Sequence, residues 1–205
     1  LGGFDPYSSS KACAELVTSA FRNSFFLDPS GTQVASARAG NVIGGGDWGQ
    51  DRLMPDLMRA ALTGEPARLR NPNAVRPWQH VLNPLSGYVL LAQELWQSSE
   101  YADAWNFGPP EDDARSVGSI VQEVADLWPQ AVSWEYDDGP HPHEAGYLKL
   151  DSSRARRRLG WQPPMSLEEA LRATVEWYRQ MAEGADMRAV TLGQIEALDG
   201  AAASP

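Results

Sequence analysis

Tyr7 and Lys11 stand four positions apart near the start of the sequence. That spacing puts both side chains on one face of a helix. An ammonium beside a phenol favours the phenolate, so such a tyrosine can take or give a proton well below its usual pKa of roughly 10. Ser8, Ser9 and Ser10 lie between the two, and their small side chains leave the face open to a ligand. A lone Tyr-x-x-x-Lys is also what any exposed helix can carry. Composition favours chemistry here: of 17 cationic residues, only Lys11 and Lys149 are lysine. A chain that writes nearly every cation as Arg yet keeps Lys11 beside a tyrosine has a use for an ammonium there.

Three other stretches carry residue types suited to a site. Arg76-Pro77-Trp78-Gln79-His80-Val81 joins an arginine to aromatics, the kind of cluster that contacts phosphate and base; a surface arginine on a hairpin explains it equally well. Gly44-Gly45-Gly46 follows a strand-like run, where open α/β sheets place ligands. These glycines lack the G-x-G-x-x-G spacing and no clear helix opens on the third, so the expectation is a tight loop near a ligand, without a dinucleotide fingerprint. His141 and His143 sit among carboxylates, but a proline breaks the pair and no third ligand is defined. No metal site is assigned to them.

The elements that must position these residues follow from pattern. Asp5 caps a first helix, Pro6 suits its first turn, and Leu16, Val17, Ala20, Phe21 and Phe25 carry it at helical spacing to about Phe26. Gln33 to Arg38 reads as a buried strand, and Arg52 to Leu62 as a helix. Leu69 to Leu82 reads as two short strands around an Asn71-Pro72-Asn73 turn. Leu85 to Trp96 is an apolar helix expected in the core, followed by a strand at Ala104 to Gly108 and a helix from Val117 to Trp128 capped by Ser116. Strands at Val132 to Tyr136 and Leu148 to Leu150, a basic helix through Arg158, and a helix opened by the capping box Ser166-Leu-Glu-Glu169 complete the order. A weak helix is expected from Thr191 to Leu198, then a disordered end. The order is α/β in class.

Bulk properties narrow the function. A net charge of −10 disfavours nucleic acid and anionic membranes as partners, and no apolar run is long enough to span a bilayer. Cys13 is alone, which leaves no intrachain disulfide and suits a reducing, cytoplasmic setting. The sequence opens on Leu1 with no signal-like segment, and the expectation is the back portion of a longer polypeptide.

Tyr7-Ser-Ser-Ser-Lys11 resembles the catalytic pair of the extended short-chain dehydrogenases/reductases acting on nucleotide sugars. Within them, Asp5 to Val17 and Ala20 to Phe26 look like the CDP-glucose 4,6-dehydratases. Arg38 to Trp48, Arg76 to Val81, Trp105 to Pro109, His141 to Ala145 and Tyr147 to Asp151 are similar to that family too. Several motifs in order, from about Gly2 to the Thr191 region, make the resemblance specific.

The resemblance implies the C-terminal part of a Rossmann-type doubly wound sheet plus a small α/β substrate-binding lobe. Residues 1–50 and parts of 65–110 would belong to the sheet, 51–64 and 110–185 mainly to the lobe, and 186–205 to a weak helix and tail. It implies dehydration of CDP-glucose through bound NAD. Tyr7 would deprotonate the sugar 4-hydroxyl as hydride leaves C4, water would go from C5 and C6, and hydride would return to C6. Lys11 would lower the Tyr7 pKa and hold the nicotinamide ribose, Asn41 would meet the sugar or its phosphate, and Arg52, Arg76, Asn106 and His143 would serve the nucleotide and diphosphate. A homo-oligomer is compatible with this picture. The family keeps its glycine loop, catalytic Ser/Thr and dehydration acid/base upstream of the tyrosine, and only six residues precede Tyr7. The chain alone is therefore expected to be inactive. Asp138-Gly-Pro140 also departs from the Asp-Arg-Pro of dTDP-sugar relatives. An epimerase or reductase on the same scaffold, or a fragment that only binds nucleotide sugar, are the alternatives.

Overall fold

The structure is a computed structural model that describes residues 5–139 and 146–202. Helix α1 spans Pro6–Phe25. Asp5 precedes it in extended backbone, and its carboxylate accepts the Ser8 amide hydrogen at 2.9 Å. The Ser8 hydroxyl, donating to the same carboxylate at 2.6 Å, and then the Ser8 amide hold the Asp5 carboxyl below its ordinary pKa. Strand β1 (Ser36–Ala39) pairs in parallel with β5 (Ala104–Phe107). Strand β2 (Asn41–Ile43) pairs in parallel with β4 (Val75–His80), which takes β6 (Ala114–Ser116) antiparallel on its other edge. Strand β3 (Ala67–Leu69) pairs in parallel with β7 (Trp134–Tyr136). Parallel pairs need long crossovers, and helices α2 (Leu53–Thr63), α3 (Leu82–Gln97), α4 (Val117–Leu127), α5 (Ser153–Leu159) and α6 (Leu167–Ala182) supply them or flank them. Helix α7 (Met187–Ala202) follows.

Two hydrophobic clusters hold these elements. The larger gathers Ile43 of β2, Leu57 and Met58 of α2, Trp78 of β4, Val121 of α4 and Tyr178 of α6 with their neighbours. The smaller gathers Leu91 of α3, Trp105 and Phe107 of β5, Ala155 of α5 and Trp161. Phe107 meets the edges of Tyr88 and Trp161 in T-shaped pairs, a favourable aromatic geometry. No helix among the described residues is long and apolar enough to cross a membrane.

Several expectations are corrected. The strands near Leu69 and Leu82 do not pair with each other as a hairpin. Both edges of β4 are taken, by β2 and β6, so β3 turns to β7 instead. Leu148 to Leu150 is no strand: the segment makes a single bridge, between Val75 and Tyr147, on the edge of β4 that β2 takes farther along. Helix α3 is not buried all round. Asn83, Pro84, Gly87 and Leu91 face inward while Leu85, Val89 and Trp96 are exposed, because only one face meets the smaller cluster. Gly87 marks the closest approach: a β-carbon there would lie 2.2 Å from the Phe107 ring. Helix α7 is longer than its sequence signal, starting at Met187 with Thr191 bonded to the Trp177 indole N–H at 2.9 Å.

Helix α1 stands apart, since none of its residues is buried. Leu16, Val17, Phe21 and Phe25 are all more than half exposed. Polar ties position it. The Arg38 guanidinium of β1 donates to both Glu15 carboxylate oxygens, at 2.7 and 2.6 Å, and the Ser36 hydroxyl adds a third bond at 2.8 Å. The Arg38 bonds, foremost, hold the Glu15 carboxyl below its ordinary pKa. Arg22 reaches Asp103, just before β5, at 3.7 Å.

Candidate active site

A cavity of about 620 Å³ opens between the start of α1, strands β2 to β4 and the start of α2. That volume is within the usual range for small-molecule sites. Tyr7, in the first turn of α1, lines it and is 71% exposed. The Lys11 ammonium lies 5.3 Å from the centroid of the Tyr7 ring, so the pair does share one helix face. Asn41 enters from β2, opposite Trp78 of β4. Gly40, between β1 and β2, is required for this approach, since a β-carbon would stand 2.7 Å from the Pro77 ring.

Arg76 of β4 also lines the cavity and is only 6% exposed, with one guanidinium N–H donated to the Val75 carbonyl at 3.0 Å. Arg52, the residue before α2, lines it from an exposed position and pairs with Asp47 at 3.1 Å. Tyr7, Asn41, Arg52 and Arg76, from separated stretches of sequence, thus converge on one cavity.

Asn106 does not join them. Its amide donates to the Asp151 carbonyl at 3.0 Å and its oxygen accepts from Arg38 at 3.3 Å, so it ties β5 to β1 and to the start of α5. His143 and its neighbour His141 lie outside the described residues. Lys149, the second lysine, pairs with Glu111 at 3.6 Å.

Sequence reasoning missed Arg68 and Arg70, which line the same cavity. The signal was present: in Ala67-Arg68-Leu69-Arg70 the apolar residues alternate with arginines, and a strand sends alternate side chains to opposite faces. Ala67 and Leu69 are buried and the arginines point away. Four guanidiniums, of Arg52, Arg68, Arg70 and Arg76, line the cavity beside the carboxylates of Asp47, Asp51 and Asp56.

The glycine triplet is a packing device. A β-carbon on Gly45 would fall 2.1 Å from the Trp177 ring of α6, and one on Gly44 would fall 2.9 Å from Val81. Close packing on α6 and Val81 therefore accounts for glycine at these two positions. The Tyr178 hydroxyl donates to the Asp47 carbonyl at 2.5 Å, and burial with Asp47 nearby pushes its pKa up to about 12. Helix α6 therefore braces the loop that carries Asp47 to the cavity.

Residues 3–108 match the NAD dependent epimerase/dehydratase family. The chain belongs to that family. Among curated members of the wider set, it is 51% identical over 192 residues to the CDP-glucose 4,6-dehydratase of Salmonella typhimurium, covering 91% of this chain and 54% of that protein. The crystal structure of dTDP-glucose 4,6-dehydratase from Bacillus anthracis in complex with NAD superposes with a TM-score of 0.75 at 23% identity, over 89% of this chain and 55% of that one. A UDP-glucose-4-epimerase from Stenotrophomonas maltophila with bound NAD gives a TM-score of 0.74 at 20% identity, over 89% and 57%. The fold is thus the Rossmann-type α/β fold expected from the sequence. The chain spans about half the length of the family members it matches.

Proposed function

We propose that the chain supplies the tyrosine–lysine pair and much of the nucleotide-sugar site of a CDP-glucose 4,6-dehydratase. The observation that carries this reading is the convergence of Tyr7, Asn41, Arg52 and Arg76 on one cavity rich in guanidinium groups. The 51% identity to the Salmonella enzyme favours a CDP-sugar over other nucleotide sugars. On this reading, residues 1–50 and parts of 65–110 serve the cofactor-side sheet, and 51–64 with most of 110–185 serve the substrate.

Tyr7 and Lys11 suit a nicotinamide ribose, because a phenol and an ammonium on one open helix face can bond two vicinal hydroxyls. Bound NAD would take hydride from sugar C4 and return it to C6. Tyr7 accepts the 4-hydroxyl proton at its phenolic oxygen. Lys11 holds a positive charge over the Tyr7 ring, 5.3 Å from its centroid, on the same open face. Arg52 and Arg76 neutralise the diphosphate, and Asn41 fixes the sugar or the adjoining phosphate through its amide. Asn106 ties β5 to β1 and to the segment before α5.

The test is Tyr7→Phe in the full polypeptide that carries this sequence, assayed on CDP-glucose with NAD. The ring's packing is retained while the proton acceptor is lost. General-base catalysis contributes about 10²–10⁴-fold, so kcat should fall by at least that range with KM little changed. An unchanged kcat would overturn the role of Tyr7.

A further inference from the structure

We propose that Arg70 and Asp51 form the nucleobase-reading end of the cavity and select cytosine over uracil or thymine; this deepens, and rests on, the nucleotide-sugar reading above. In a nucleotide sugar the diphosphate separates the hexose from the nucleoside, so the base must lie away from Tyr7. Asp51, Asp56 and Arg68 line the first cavity and also a second, of about 600 Å³, that adjoins it. Tyr7 and Asn41 line the first alone. Asp51 thus marks the end where the two cavities meet, with Arg70 beside it.

The pair is prearranged. The Arg70 Nη2 donates to the Asp51 backbone carbonyl at 3.1 Å and approaches its carboxylate at 3.4 Å. Asp51 has φ of 59°, the only left-handed non-glycine backbone among the described residues. That conformation is uncommon for a residue with a side chain, though Asp tolerates it better than most. It turns the Asp51 carbonyl and carboxylate together toward one guanidinium. The remaining Arg70 N–H groups make no other hydrogen bond among the described residues. The Asp51 carboxylate is largely open to solvent.

A guanidinium next to a carboxylate presents donors followed by an acceptor. The cytosine edge offers the complement: O2 and N3 accept, and the N4 amino group donates. Uracil and thymine reverse two of these positions, with N3–H donating and O4 accepting. Their O4 would face the Asp51 carboxylate, two acceptors with no hydrogen between them. Discrimination then arises from repulsion of the wrong base as much as from attraction of the right one.

The experiment is calorimetric titration of the full polypeptide with CDP, UDP and dTDP. A good base contact of this kind discriminates by roughly tenfold or more, so CDP should bind about tenfold more tightly than the other two. Asp51→Asn should bring CDP and UDP to within about threefold, because a carboxamide can turn its N–H₂ toward O4. Arg70→Ala should weaken CDP by about tenfold. If Arg70→Ala does not fold, Arg70→Lys keeps the cation, lacks the planar fork, and should lose the preference too. Equal affinities in the unaltered protein, or an unchanged CDP/UDP ratio in Asp51→Asn, would overturn the assignment. Turnover that depends on Tyr7 but shows no base preference would leave the dehydratase reading standing and remove only this one. Absence of binding to all three nucleotides would overturn both.

Discussion

Helices α1 and α6 begin equally well and end up in opposite surroundings. Asp5 and Pro6 start α1, and the reciprocal bonds between Ser166 and Glu169 start α6. Both carry apolar residues at helical spacing. Helix α6 buries Leu167, Ala170, Leu171, Thr174, Val175, Trp177 and Tyr178, whereas α1, although longer, buries nothing. Capping and periodicity decide that a helix forms and which face is apolar; they do not decide what covers that face. Helix α6 is placed by packing. Helix α1, which carries Tyr7 and Lys11, is placed by Glu15, Arg38, Ser36, Arg22 and Asp103.

Removing the packing should therefore matter most on the α6 side. Trp177→Ala would withdraw the indole that fills the space over Gly45 and joins the larger core, and large aromatic truncations cost about 3–5 kcal/mol. For a chain of this size the melting temperature should drop by roughly 10 °C in a thermal scan. A drop of a degree or two would mean that the packing contrast is overstated.

Acid should act on the same side of the molecule. His80 of β4 is 1% exposed, and burial lowers its pKa from 6.5 to about 4. Between those values the unfolded chain binds a proton that the folded chain refuses, so stability is complete above pH 6.5 and declines as pH falls toward 4. The loss approaches about 3 kcal/mol from this group. Denaturant midpoints measured across the window should fall with acid, and His80→Gln should flatten that slope.

The smallest effect is expected on the apolar face of α1. Phe25→Ser changes a side chain that is 72% exposed and should alter unfolding free energy by no more than about 0.5 kcal/mol. A loss above about 2 kcal/mol in chemical denaturation would show that the face is covered in solution. The comparison with α6 would then collapse.

Local signals were the legible part of the sequence. The caps at Asp5, Ser116 and Ser166 each appear where the residue types placed them. Partner choice was not legible. Nothing in the residues from Ala67 to His80 says that β3 will pair with β7, some 67 positions away, because strand pairing depends on which edges other segments leave open. The site divides in the same way. Tyr7, Asn41 and Arg76 could be picked out as cavity-lining residues because each belongs to a motif. Asn106 sits in a motif as well, yet its amide is consumed by Arg38 and Asp151, bonds that only the register of β1 on β5 creates. Arg70 and Asp51 were overlooked because each gains meaning from the other, 19 positions away.

The brace between α6 and the glycine loop also sets an order of events in time. The Tyr178 hydroxyl and the Asp47 carbonyl it holds are 131 residues apart in the chain. At typical synthesis rates of roughly 5–20 residues per second, the ribosome makes the loop about 7 to 25 seconds before the helix that secures it. During that interval Gly44, Gly45 and Gly46 have no indole against them, and the cavity wall that includes Asp47 is unformed. The cavity is therefore completed late, when α6 has emerged and closed a long-range contact whose formation is intrinsically slow.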